Sequence, residues 1–372
     1  MHKPLDYNET PFIAIWETTQ ACDLACVHCR AEAQPDPLPG ELSVKEGRNL
    51  VRQVAEMGTP VLVFSGGDPM KRSDLLDLIR LGKDLGLRVG TIPAATESLT
   101  REKVFALKEA GLDQMALSLD APTAEAHDGF RQVPGTFAIT LQAAQWAREC
   151  GLPLQINSVL SRCNGMYLDS LMEMVEGLGI VFWEVFFLVQ VGRGTEQEDL
   201  TADEVEAVFA GLYELAARAP FIVKITEAPH FHRYTTARKL KEAGLDPAQV
   251  VREGVDLPAE LRRALGPGGS MGRAPSAVNA GKGHLFISSE GEVFPSGFLP
   301  LSAGHIRETG LAEIYRNSPL FKQLRDPDLL KGRCGVCEYR SLCGGSRARA
   351  YALKGDPLAE DPSCNYLPAA GI

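Results

Sequence analysis

Between residue 12 and about residue 225, short runs of β-branched and aromatic residues alternate with longer amphipathic stretches. The repeat is about 30 residues, the length of a βαβ unit. The expected strands are FIAIWETT from Phe12, VLVFS from Val61, RVGTI from Arg88, QMALSL from Gln114, LQINSVL from Leu154 and WEVFFLV from Trp183. Helical periodicity falls at 44–57, 73–85, 101–110, 137–149, 168–178 and 202–217. Gly58, Gly86, Gly111, Gly151 and Gly179 stand where such helices end. Six such units make a parallel sheet with helices outside, as an open doubly wound sheet or as a partial or full barrel. Periodicity does not choose between them. Either way, ligands gather at the C-terminal ends of the strands.

Residues 1–11 precede this region as a short extension. Residues 226–272 are charged and helical in places, broken at Pro247, Pro258 and the GPGG at 266–269, and are expected to be a linker. Residues 273–372 are expected to form a small C-terminal domain. In it HLFISSEGEVFPSG reads as a hairpin turning at Glu290 and Gly291, followed by a helix near 311–315.

The 372 residues, 45% hydrophobic and 23% charged, suit one large core and a smaller unit. The net charge of -10, with no basic stripe, argues against a nucleic-acid partner. No apolar stretch approaches the ~20 residues of a membrane helix. MHKPLDYNETPF has no apolar signal region, so a cytoplasmic protein is expected.

Nine cysteines in such a chain argue for metal or redox chemistry rather than disulfides. Cys22, Cys26 and Cys29 follow the first expected strand. Three closely spaced thiolates can hold a 4Fe–4S cluster and leave one iron open to a small chelating molecule. A zinc site is the alternative, with His28 as an odd fourth ligand. Cys334, Cys337, Cys343 and Cys364 supply four thiolates, enough for a fully ligated second cluster, with structural zinc again the alternative. Cys150 and Cys163 are expected to be small core residues. His230, His232, His284 and His305 carry no assignment.

The segment CDLACVHC, with its C-x3-C-x2-C spacing, resembles the signature of the radical S-adenosylmethionine (SAM) superfamily, and the resemblance spans essentially the whole chain. It implies a partial (β/α)6 TIM-type barrel with a small C-terminal iron–sulfur domain. It also implies that the cluster on Cys22, Cys26 and Cys29 cleaves SAM reductively to a 5′-deoxyadenosyl radical, with Val27 and His28 lying against SAM. SGGDP at 65–69 resembles the family's GGEP, so Gly66, Gly67, Asp68 and Pro69 are expected around the SAM ammonium. Ser118, Arg131, Asn157 and Ser158 resemble positions near the SAM carboxylate or ribose. Where relatives carry TNG after the third strand, this chain has TIPAATES at 91–98, with Thr96 or Glu97 as replacement contacts.

The late cysteines resemble the SPASM domain, with a departure. Relatives have Cys where this chain has Ser296 and Ser346, both in the set for one auxiliary cluster. The resemblance therefore implies two 4Fe–4S clusters in all, one cleaving SAM and one auxiliary, together with an external electron donor of flavodoxin or ferredoxin type. Several phrases, including FFLVQVGRG at 186–194, resemble enzymes of the alternative haem pathway and NirJ-like proteins, which cut or oxidise acid side chains on a tetrapyrrole. Arg193, Arg347 and Arg349 are candidates to pair with such carboxylates. The alternatives are modification of a ribosomally made peptide and a non-catalytic iron–sulfur electron carrier.

Overall fold

The computed structural model describes residues 5–247, 249–250 and 278–369. Seven strands follow one another in parallel: β1 (Ile13–Glu17), β2 (Val61–Ser65), β3 (Arg88–Thr91), β4 (Gln114–Ser118), β5 (Leu154–Leu160), β6 (Phe182–Phe187) and β7 (Ile222–Thr226). The six expected strands are all there. FIVKIT at 221–226 adds the seventh, across the expected boundary at 225.

The C-terminal hairpin continues the same sheet. Strand β8 (His284–Ile287) pairs in parallel with the other edge of β1, Ile13 opposite His284. Then β9 (Glu292–Phe294) returns antiparallel, and β10 (Gly304–His305) lies on β9. The turn sits where expected, Gly291 N–H donating to Ser288 O at 3.1 Å with φ +100° at the glycine. An unpaired β1 edge would expose a row of backbone donors and acceptors; β8 covers it. The sheet order runs from β10 through β1 to β7, so within the described residues the barrel curls without closing.

The helices shield the outer face. Helix α1 (Val44–Glu56) starts at a capping box in which the Ser43 hydroxyl accepts from Glu46 N and the Glu46 carboxylate accepts from Ser43 N. It buries Leu50, Val51 and Val54. Gly47 is there because a Cβ would stand 2.6 Å from the Trp16 ring. Around the outside follow α2 (Leu75–Asp84), α3 (Arg101–Glu109), α4 (Ala124–Arg131), α5 (Thr136–Glu149), α6 (Leu168–Gly177) and α7 (Ala202–Arg218). The polar, eight-residue α4 was not expected from periodicity.

The strands' outward residues, among them Trp16, Leu62, Phe64 and Val89, are buried under the helices. Their inward neighbours Ile13, Ile15, Val61, Val63 and Gly90 are only half-buried, so the interior is not filled by side chains as in a closed (β/α)8 barrel. Helix α8 (His230–Glu242) occupies part of the expected linker; Pro258 and GPGG lie outside the described residues. Cys150 packs half-buried against the core. Cys163 does not: it is exposed in the loop after β5, 3.0 Å from the Ser161 hydroxyl. Among the described residues no helix is long and apolar enough to cross a membrane.

Candidate active site

The loops at the C-terminal ends of the strands enclose a cavity of about 210 Å³. Its lining includes Cys22, Cys26, Cys29, His28, Gly66, Gly67, Ser118, Arg131 and Asn157, drawn from four strand ends and α4. Val27, Asp68 and Pro69 flank this lining without forming it. Among the described residues no three His, Cys, Asp or Glu side chains gather around a single-ion position.

Each thiol of the first loop has one donor. Leu24 N–H donates to Cys22 Sγ at 3.4 Å, Arg131 Nη1 to Cys26 Sγ at 3.6 Å and Ala33 N–H to Cys29 Sγ at 3.5 Å. Burial pushes the Cys22 thiol up to about 12 and raises Cys26 as well, even with Arg131 beside it. Ionised sulfurs at these depths need a cation to offset their desolvation, and ligated iron supplies one.

The loop is held by neighbours chosen for close approach. A Cβ on Gly66 would stand 2.5 Å from Thr19 O, and one on Gly67 would stand 2.5 Å from Ala21 O. Both glycines let β2's end dock on the chain entering the cysteine loop, where Gly67 N–H donates to Thr19 O and Asp68 N–H to Ala21 O, each at 2.7 Å. Asp68 is fully buried. Its Oδ1 accepts from Met70 N at 3.0 Å and Ala94 N at 3.2 Å, while Oδ2 has no partner. Burial raises its pKa. A buried carboxyl oxygen without a partner is unfavourable, which makes Asp68 a candidate to meet a polar ligand group.

Arg131 is 8% exposed and paired with Asp120, Arg131 Nη2 to Asp120 Oδ2 at 2.5 Å, as well as touching Cys26. His127 lies one turn before it on α4 and accepts from Asp120 N–H at 3.1 Å through Nδ1. His28 stacks on Phe130 with ring centroids 4.4 Å apart, and burial pulls its pKa down to about 3, so its ring is neutral. Asn157 is 8% exposed and its Oδ1 accepts from Gln155 Nε2 at 2.6 Å. That same Nε2 donates to Glu184 Oε2 at 2.9 Å, and Glu184 is paired with Lys224 at 2.6 Å. A carboxylate can only accept, so the chain fixes Gln155 and leaves the Asn157 amide N–H groups for the cavity.

Several expected contacts lie elsewhere. Ser158 faces the helices, donating to Leu119 O and accepting from Trp183 Nε1 at 3.0 Å. Thr96 is bonded to Ser98 at 2.9 Å and Glu97 is exposed; Ile92, Pro93, Ala94 and Ala95 form that wall instead. Arg193 holds the cysteine loop through Nε to Cys26 O at 2.9 Å and Nη1 to Ala33 O at 3.1 Å, while its Nη2 is buried without a partner. Arg349 is 1% exposed and bonded to Asp199 and the carbonyls of Glu227 and Leu188. Arg347 is equally buried. None of these three arginines lines the cavity. The arginine that does so besides Arg131 is Arg30, paired with Glu17 at 2.9 Å and lying 4.3 Å over the Phe286 ring. Sequence reading passed over Arg30 and His127, and also over Phe186 and Phe298, which form an aromatic wall with centroids 6.2 Å apart. His127 was the readable one, four residues before Arg131 in a helical segment.

A second, smaller cavity is lined by Cys334, Cys337, Cys343 and Cys364 together. Gly345 N–H donates to Cys343 Sγ at 3.3 Å and Asp361 N–H to Cys334 Sγ at 3.4 Å. Four thiols around one cavity, with backbone donors to their sulfurs, fit a fully ligated cluster. The two serines noted in the sequence converge on one buried carboxylate: Ser346 donates to Glu227 Oε2 at 2.6 Å and Ser296 to Oε1 at 3.4 Å.

The Radical SAM superfamily model matches residues 16–175, and the SPASM iron–sulfur cluster-binding domain model matches residues 279–338. The chain is 39% identical to an AdoMet-dependent heme synthase of Oleidesulfovibrio alaskensis over 95% of this chain and 87% of that protein. It is 39% identical to the protein of the same name in Methanosarcina barkeri, over 96% and 97%. At 28% identity it is similar to a PqqA peptide cyclase of Bradyrhizobium diazoefficiens, over 96% and 87%. Its fold is similar to Streptococcus suis SuiB bound to precursor peptide SuiA, with TM-score 0.71 at 16% identity, covering 96% of this chain and 76% of that one. The chain is thus a member of the radical SAM superfamily with a SPASM-type iron–sulfur domain toward its C-terminal end.

Proposed function

We propose that the protein cleaves SAM reductively and turns the resulting radical on an acid side chain of a tetrapyrrole. The similarity to heme synthases along 95% of the chain carries the substrate class. When bound, the cluster supplies the electron that splits SAM into methionine and a 5′-deoxyadenosyl radical, which takes hydrogen from the substrate.

The chain's own residues do the rest. Cys22, Cys26 and Cys29 would hold the SAM-cleaving cluster, three thiolates to its four irons. Asp68 Oδ2 takes the SAM ammonium. Arg131, Ser118 and the amide N–H of Asn157 face the carboxylate and ribose, with His28 and Val27 beside the adenosine. The lining Ile92, Pro93, Ala94 and Ala95 keeps water from the radical's path. Phe186 and Phe298 offer a flat macrocycle an aromatic face, and Arg30 meets its acid groups. Cys334, Cys337, Cys343 and Cys364 would hold a second, auxiliary cluster, one thiolate to each iron. An external flavodoxin- or ferredoxin-type protein delivers the electron.

The peptide reading draws on the PqqA peptide cyclase similarity, which is weaker over the same length. The test is anaerobic incubation of the reconstituted protein with SAM, reductant and an iron porphyrin bearing propionate groups, read by mass spectrometry. A porphyrin mass change matched by 5′-deoxyadenosine supports the proposal. SAM turnover that leaves every propionate-bearing porphyrin unchanged overturns the substrate assignment while leaving the SAM chemistry intact.

A further inference from the structure

Arg347 is 1% exposed, at the start of the helix Arg347–Lys354. Its Nε donates to Gly345 O at 3.1 Å, and its Nη1 to Pro357 O at 2.9 Å and Ala359 O at 2.8 Å. Its Nη2 reaches Cys334 Sγ at 3.7 Å. Among the described residues no carboxylate stands within ion-pair distance of it. The other buried arginines behave differently: Arg349 is paired with Asp199 at 3.1 Å and Arg131 with Asp120 at 2.5 Å. A buried cation held only by neutral carbonyls is costly unless something anionic lies beside it. The Asp356 carboxylate feels the Arg347 charge from farther off, but of the groups in contact with Arg347 the Cys334 sulfur alone can carry negative charge.

The backbone is shaped to keep this contact open. Gly345 has φ +66°, and a Cβ there would stand 2.5 Å from Arg347 Nη2 and 3.2 Å from Cys334 Sγ. A Cβ there would also stand 2.8 Å from Asp361 Cβ, so the glycine leaves room for the guanidinium, the sulfur and Asp361 together.

We propose that Arg347 is a positioning residue of the auxiliary centre, which donates to Cys334 and raises the reduction potential of the cluster held by Cys334, Cys337, Cys343 and Cys364. The proposal rests on the second cavity holding a cluster. Reduction adds negative charge to an already anionic group, and a fixed cation in a buried site favours the reduced form. A hydrogen bond to a ligating sulfur acts in the same direction. The main-chain donors of Gly345 and Asp361 act likewise, but the side chain of Arg347 adds a full charge.

Potentiometric titration of the reconstituted full chain, followed by electron paramagnetic resonance, tests this. A Cys22→Ala/Cys26→Ala/Cys29→Ala variant identifies the auxiliary signal. Arg347→Gln is expected to move the auxiliary midpoint to a more negative potential and to leave the first cluster's midpoint and its response to SAM unchanged. Arg347→Lys, which keeps the charge, is expected to restore most of the shift. If Arg347→Gln loads iron poorly, Arg347→Met, which keeps much of the side chain without its charge or its donors, is expected to give a shift of the same sign. An unmoved midpoint in loaded Arg347→Gln, or a shift as large in Arg347→Lys, overturns the role of Arg347. Absence of any auxiliary signal in the unsubstituted protein overturns the cluster reading as well.

Discussion

A carboxylate oxygen buried without a partner is unfavourable, and Asp68 Oδ2 is one. If it serves the SAM ammonium, Asp68→Asn removes a charge-assisted bond of about 1.5–3 kcal/mol and weakens binding roughly tenfold to a hundredfold. Equilibrium binding of S-adenosylhomocysteine, which keeps the ammonium, reads this directly; unchanged affinity counts against the assignment. Arg131 carries two duties, and one is structural. Asp120 is 0% exposed, so Arg131→Met strands a buried anion at a cost of roughly 3–5 kcal/mol, visible as a lower urea midpoint. A midpoint unchanged from the parent protein would mean that the pair contributes little. At this scale the sequence showed the cysteines and GGDP plainly, because their spacing is local. It did not show that Ser158 turns toward Trp183 while Asn157 turns inward. That depends on strand phase against neighbours far along the chain. Nor did it show that Arg193, Arg347 and Arg349 serve the protein's own backbone rather than a substrate.

At the scale of elements, β1 to β6 were legible because β-branched runs bounded by glycine-closed helices leave few other readings. Strand β7 was passed over although Ile222, Val223 and Ile225 have the right character, and α4 because its eight residues bury only His127, Phe130 and Arg131. The attachment of β8 to β1 could not be read at all, since pairing across so long a separation leaves no local pattern. Helix α1 joins this arrangement through Glu46, whose carboxylate serves both the capping box and Arg307 at 2.6 Å. Arg307 and Ser43 hold its pKa down to about 2, from 4.5. A depressed acid stabilises the fold above its unfolded pKa, and the contribution is lost as pH falls toward the folded value. The difference in melting temperature between the parent and Glu46→Gln is therefore expected to be constant above about pH 5 and to shrink between about pH 4.5 and pH 2. A difference independent of pH over that range would contradict it. Gly47→Ala is expected to cost about 1–3 kcal/mol by driving a methyl into Trp16, measured by chemical denaturation. No loss would mean that the ring can move aside.

At the scale of the whole molecule, two cysteine sets occupy separate cavities, and the residues between them belong to both halves. Glu227 lies 69 residues from Ser296 and 119 from Ser346, so no sequence window could have shown the three together. Where they meet, two hydroxyls donate to one buried carboxylate. Iron analysis of the reconstituted chain is expected to give about eight atoms per protein, two cubanes of four. About twelve would restore a third cluster. Three thiolates to the four irons of a cubane would leave one iron open for SAM. The most direct measurement is anaerobic incubation of the cluster-loaded protein with SAM and dithionite, alongside Cys26→Ala. The unsubstituted protein is expected to release 5′-deoxyadenosine and the variant none, while a loaded protein that releases none would contradict the account.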